Sequence, residues 1–187
     1  MIRLLRVALA LCIVAVASYA VYRLCYLPWV CNIRQMQAER VVSRLFDVND
    51  QVAARIAARQ TVETLDPCIS FCPTEVNQLM IRAAALRMLG RPDAAILDYR
   101  RALHVDRRAE LFLNLGQAEL EAGHDDSAED ALISAAIIYS TFLLSYPEPM
   151  KSRVAPVLNE IALTINNRRA TPAYVRGLFD RMARDPK

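Results

Sequence analysis

Two patterns of apolar and polar positions divide the chain. From Val7 to Tyr22 no charged residue occurs, and Leu4, Leu5, Leu24 and Leu27 carry the apolar surface past the flanking Arg6 and Arg23. This predicts one transmembrane helix over residues 4–27, close to the ~20 residues that cross a bilayer, with both arginines snorkelling. Tyr19, Tyr22, Tyr26 and Trp29 gather at its distal end, where amphipathic rings sit at headgroup depth, and Pro28 is expected to end the helix. Ser18-Tyr19-Ala20 also offers a signal-peptide cleavage site, but the residues after Ala20 stay apolar and aromatic, which favours a retained anchor. Farther along, apolar residues return every three or four positions, the period of helices that bury one face.

Within that second region the chain repeats itself. Gly90-Arg-Pro-Asp-Ala-Ala-Ile-Leu-Asp-Tyr99 aligns without gaps on Gly123-His-Asp-Asp-Ser-Ala-Glu-Asp-Ala-Leu132, 33 residues later, and the same offset joins Ala83 to Gly116 and Ala102 to Ala135. Each copy places an apolar-periodic helix before the glycine and another after it, so the unit is a helical hairpin. Gly90 and Gly123 suit left-handed helix ends, Pro92 suits the first position of the next helix, and Asp125 is expected as an N-cap. Ala95, Ala102, Ala128 and Ala135 lie seven apart on one face and let helices approach closely. Leu79, Leu86, Tyr99, Phe112, Leu115 and Leu132 fill the space between them.

On these residues the segment from 74 to 140 resembles the tetratricopeptide repeat. Ala109-Glu-Leu-Phe-Leu-Asn-Leu-Gly116, followed by Gly123, Ala128 and Ala135, is similar to a consensus unit; Glu119 and Ser140 depart from it, where the family often has an aromatic residue and a proline. The fold expected is therefore all-α: an anchor helix followed by a short α-solenoid of tetratricopeptide-type hairpins with helical caps. The organisation expected is an anchor and interfacial segment over 1–31, a degenerate helical N-cap over 32–73, two repeats over 74–140 and capping helices over 141–187. In the N-cap, Asn49 or Asp50 is expected to start a second half, and Asp66-Pro67 to open a short helix carrying Cys68 and Cys72. Downstream, Tyr146-Pro-Glu-Pro149 breaks the pattern. Val154, Val157, Leu158, Ile161 and Ile165 then make an apolar stripe that Pro156 is placed to kink, and Thr171-Pro172 opens a last helix with Val175, Leu178, Phe179 and Met182 on one side.

The resemblance implies a concave groove lined by the first helix of each pair. The matching positions are Asn77, Met80, Ile81, Ala84, Arg87, Met88, Glu110, Leu113, Asn114, Gln117 and Glu121, with Asn114 where family members hold a ligand backbone through an amide. The carboxylate clamp of the chaperone-binding class is not expected, since Ile81 and Leu113 stand where it needs charges. The alternative occupant of this groove is the protein's own terminal helices.

Composition narrows the chemistry. A net charge of +3, from 23 Lys and Arg against 20 Asp and Glu, gives no field that makes nucleic acid the expected partner, and the cluster Arg100, Arg101, Arg107 and Arg108 lacks any nucleic-acid motif and is taken as a solvated helix end. Phosphate loops, nucleophile elbows and zinc-peptidase helices are missing, so no catalytic residue, cofactor or metal is expected. His104 and His124 are isolated, and the dipole of the helix they open accounts for Asp125, Asp126, Glu129 and Asp130. Cys68 and Cys72, four apart on a helix turn, are a candidate disulfide, with buried free thiols as the alternative. Cys12, Cys25 and Cys31 serve as apolar residues.

Function follows as a membrane-anchored module that binds another protein, a component of a membrane or envelope complex. A permanent subunit held through the small face of its anchor (Ala8, Ala15, Ala17, Ser18) is the structural alternative, and thiol exchange at Cys68 and Cys72 the enzymatic one. Arg23, Arg34, Arg40 and Arg44 against Arg3 and Arg6 favour a cytoplasmic domain, whereas a disulfide requires an oxidising compartment. Of the two, the extracytoplasmic side, periplasmic in a bacterium, is the expectation.

Overall fold

The computed structural model describes residues 2–45 and 51–166, and these form helices joined by short turns, with no strand among them. Helix α1 (Ile2–Val21) passes through a π-type turn (Tyr22–Tyr26) into α2 (Leu27–Leu45). Then come α3 (Gln51–Phe71), α4 (Val76–Met88), α5 (Pro92–Val105), α6 (Ala109–Ala122), α7 (Asp125–Ile138), a 3₁₀ turn (Ser140–Ser145) and α8 (Glu148–Asn166). Successive helices pack on one another, giving the hairpins α2/α3, α4/α5 and α6/α7, and α5 also rests on α6. Asn49, Asp50, Ile165 as a packing residue and the helix expected from Thr171 lie outside what the structure describes.

The N-terminal helix is long and apolar enough to cross a membrane, and none of its apolar window is covered by the rest of the protein. Pro28 does not end it. The π-type turn immediately before it, in which the Leu27 N–H donates to the Tyr22 carbonyl five residues back, widens the helix where the proline ring would otherwise meet a carbonyl. Beyond it, Cys31 and Ala38 are buried against α3. Asp66-Pro67 likewise opens no new helix, because α3 runs through it. Its buried stripe of Ala58, Thr61, Leu65, Cys68 and Ile69 continues across the proline, and burying an isoleucine alone contributes about 2 kcal/mol against the ~3 kcal/mol an interior proline costs. The Ser70 hydroxyl donates to the Asp66 carbonyl at 2.8 Å in the same turn.

The two repeated turns close alike. Gly90 (φ +69°) and Gly123 (φ +79°) adopt the left-handed conformation, and the residue after each donates to a carbonyl five back: Arg91 to Leu86 at 3.0 Å, His124 to Glu119 at 2.8 Å. Pro92 takes the first position of α5 as its missing N–H permits. Asp125 differs from expectation: it is the first helical residue of α7, His124 precedes it, and no side chain caps the helix. Ala95, Ala102, Ala128 and Ala135 are fully buried, as are or nearly are Leu79, Leu86, Tyr99, Phe112, Leu115 and Leu132. One core runs from Ala38 on α2 to Ala135 on α7, and a second joins α7 to Tyr146, Met150, Val154 and Ile161, with Leu113 and Phe142 packed against both. Arg153 ties α8 back to α7 through Asp126 at 3.1 Å and Glu129 at 2.5 Å.

Candidate partner-binding groove

Helices α2, α4 and α6 line one face, and between them opens a groove of about 460 Å³. Met80, Ile81, Ala84, Arg87 and Met88 reach it from α4, and Asn114, Gln117 and Glu121 from α6. These are eight of the eleven positions expected. Asn77 lies outside the lining, where its carbonyl oxygen accepts from the Arg108 guanidinium at 3.3 Å; Glu110 is exposed at the start of α6; and Leu113 turns into the cores instead. Two lining residues were not among the expected groove positions: Val42 on α2, which walls the N-terminal side, and Tyr99 on α5, which forms the floor. Val42 belongs to an apolar-periodic helix, but nothing in its spacing says on which side the next hairpin packs.

The polar part of the floor is a closed network. Arg87 donates through Nη2 and Nε to the two oxygens of Glu121, at 2.5 and 3.0 Å, and through Nη1 to the Gln117 carbonyl oxygen at 3.1 Å. Burial opposes the Arg87 charge, but Glu121 and Tyr99 together more than offset this and hold its pKa above the ordinary arginine value. Burial raises the pKa of the Tyr99 hydroxyl, and the neighbouring Arg87 charge offsets part of that rise. Arginine and glutamate neutralise each other, so the groove presents methionine and aliphatic surface beside one uncommitted amide. That amide is Asn114, half-buried and without a hydrogen-bond partner among the described residues. The Asn114 amide offers one donor group and one acceptor side by side. Met80 and Met88 give the groove wall unbranched, polarisable side chains.

A second constellation surrounds Glu119. Its carboxylate is buried, yet it accepts from Arg100 Nη2 at 2.7 Å and lies 2.8 Å from His124 Nδ1. Beside it a cavity of about 660 Å³ opens between α5 and the α6–α7 turn, with Leu97, Asp93, Asp125 and Asp126 at its edge. Arg100 is therefore an internal partner, not part of a solvated helix end; Arg107 and Arg108 lie in the α5–α6 turn, where Arg108 pairs with Asp106 at 2.7 Å.

Cys68 and Cys72 are not bridged. All five cysteines are free thiols; Cys68 is buried against Cys31 of α2, while Cys72 follows the end of α3 and is half-buried. α3 is continuous through Cys68, whose side chain is buried towards Cys31 of α2. No group of three or more His, Cys, Asp or Glu side chains among the described residues is placed to hold a metal ion.

Compared with the models of known protein families, with curated proteins and with solved structures, the chain matches none.

Proposed function

We propose that the chain is a membrane-anchored protein-interaction module of the tetratricopeptide type, which holds an extended or helical segment of a partner in the groove between α2, α4 and α6. The observation that carries this is the groove itself: eight positions that the resemblance to the tetratricopeptide repeat implies converge on one cavity around an Asn114 amide without a partner among the described residues. The length and apolarity of the N-terminal helix support the anchor. With the thiols free, the reason for an oxidising side falls away, and the arginine count favours a cytoplasmic domain. Thiol exchange loses support because Cys68 is inaccessible.

A photo-crosslinking residue at Ile81 in the full chain, expressed in its native membrane, tests the proposal. The expected result is one discrete adduct that disappears in the Met80→Glu variant. An adduct that maps onto the chain's own residues 167–187, or none at all, defeats the adaptor reading.

A further inference from the structure

We propose that the edge of the helical domain carrying the α3–α4 and α5–α6 turns lies on the surface of an anionic bilayer, with Arg101 and Arg107 against lipid phosphates. The proposal rests on reading α1 as a membrane span and is independent of what fills the groove.

The span and the domain touch at one informative place. The Arg23 guanidinium sits 4.7 Å from the centre of the Phe71 ring, a cation–π contact between the π-type turn and the last residue of α3. Arg23 belongs to the aromatic group in which Tyr22 stacks on Tyr26 at 5.6 Å and Tyr26 meets Trp29 at 6.2 Å. Such a group marks headgroup depth. Phe71 and the turn after it are thereby held at the depth where the span leaves the hydrocarbon.

The other turns follow from the up-and-down packing. A cavity of about 490 Å³ is bounded jointly by Pro73 and Thr74 of the α3–α4 turn and by Arg101, His104 and Val105 of α5, so the end of α5 adjoins that turn. The α5–α6 turn is held beside the first turn of α4 by the bond from Arg108 to Asn77. Antiparallel α6 and α7 return the chain to the same edge, where Tyr139 is exposed and Leu144 is 77% exposed.

The two edges differ in which charges they expose. Arg101 and Arg107 are exposed on the near edge, and Arg107 has no carboxylate partner among the described residues. Asp106 is matched by Arg108 and Glu148 by Lys151, leaving Glu75 and Glu110 as the remaining acids there. The far edge, at the Gly90 and Gly123 turns, presents Asp93 and Asp125 around its cavity, with Asp126 matched by Arg153, Arg100 committed to Glu119, and Arg91 beside them. An arginine-bearing edge near the bilayer and an aspartate-bearing edge away from it is the arrangement a negative leaflet selects, because a guanidinium fork fits phosphate and aspartate is repelled. Val105 and Leu144 supply apolar contact at the interface.

The test uses the full chain in nanodiscs of phosphatidylcholine, alone or mixed with phosphatidylglycerol. Bromine-labelled lipid quenching of Trp29, the single tryptophan, reports the span. Amide hydrogen exchange at residues 104–108 and 139–146, against residues 89–91 and 123–126 as the internal reference, reports the edge. The expected result is Trp29 quenching in both lipids, severalfold slower exchange at the near edge only when phosphatidylglycerol is present, and loss of that protection in Arg101→Glu/Arg107→Glu. The single variant Arg107→Gln, at an exposed and unpaired side chain, should lose part of it with an unchanged thermal midpoint. Quenched Trp29 with protection indifferent to lipid charge or to these variants overturns the proposal and leaves the span standing. Unquenched Trp29 removes the span and the proposal together.

Discussion

Arg82 grips Asp98 through two parallel hydrogen bonds, Nε to Oδ2 and Nη2 to Oδ1, both 2.7 Å. The same guanidinium donates through Nη1 to Asp66 at 2.7 Å, so one side chain of α4 clasps α3 and α5 together. Asp98 is only 2% exposed on its side chain, and the bidentate bond to it holds the Arg82 pKa above the usual arginine value. Replacing Arg82 with leucine leaves a buried carboxylate whose nearest remaining cation is Arg101 at 3.9 Å. Such a loss costs about 3 kcal/mol. Denaturant unfolding of Arg82→Leu should show that loss, and Arg82→Leu/Asp98→Leu should recover most of it; equal losses in single and double variants would show that the ion pair is not the cause.

Gly116 and Gly123 are required for different reasons, and substitution by alanine separates them. A Cβ on Gly116 would sit 2.7 Å from both Cγ and Cδ2 of Leu132 and 3.3 Å from the Ala128 carbonyl, so α6 and α7 would have to part. At Gly123 the added atom meets nothing within 4 Å, and only its φ of +79° resists. Gly116→Ala is expected to cost about 2 kcal/mol by overpacking and Gly123→Ala about 1 kcal/mol by backbone strain. Trimming Leu132 to valine should relieve the first and leave the second unchanged in thermal melts.

What could be read from the sequence was what neighbouring residues decide. Gly90, Pro92 and Gly123 act within their own turns, and the alanines at seven-residue spacing face one way on any α-helix, so hairpins and core positions were legible. Pro28 and Pro67 were misread because the local rule that proline ends a helix competes with burial elsewhere: Cys31 and Ala38 beyond one, Cys68 and Ile69 beyond the other. Glu119 stood out as a departure from the repeat, but its compensation by Arg100, 19 residues away, exists only once α5 lies on α6. In the groove the repeat supplied α4 and α6, whereas Val42 arrives from a helix with no counterpart in the pattern.

Tyr146 ties the second core to α7 by donating its hydroxyl to the Leu132 carbonyl at 2.6 Å, and burial raises its pKa well above the ordinary tyrosine value. A group that ionises with more difficulty folded than unfolded stabilises the fold below the unfolded pKa of about 10 and ceases to as pH rises toward the folded value. Stability should therefore be flat below about pH 10 and fall above it. Tyr146→Phe should cost about 1 kcal/mol at neutral pH and flatten the alkaline fall; an alkaline limb unchanged by the variant would assign it to other groups.

The thiols make a separate check on α3. Cys68 is wholly buried against Cys31, so under native conditions a maleimide should leave it unmodified until the domain unfolds, while half-buried Cys72 reacts first of the two. Adding reductant should leave the melting temperature unchanged. A lower melting temperature on reduction would mean that a disulfide had formed and that the α2–α3 interface is arranged differently.

Asn114 and Arg87 line the same groove but should fail in different ways. Arg87 joins α4 to α6 through Gln117 and Glu121 and touches Tyr99, so Arg87→Met removes a partly buried ion pair and should lower stability by about 2 kcal/mol, loosening the groove as a whole. Asn114 bonds to nothing within the described protein, so Asn114→Ala should leave the melting temperature within about a degree, since surface changes away from such networks stay near ±0.5 kcal/mol. Crosslinking from Ile81 in the native membrane should nevertheless fall at least as far in Asn114→Ala as in Arg87→Met, because a bound backbone would lose its donor and acceptor together. If the Asn114 variant crosslinks like the parent chain, the amide is not what holds a partner, and the groove would have to work through its methionine and aliphatic surface alone.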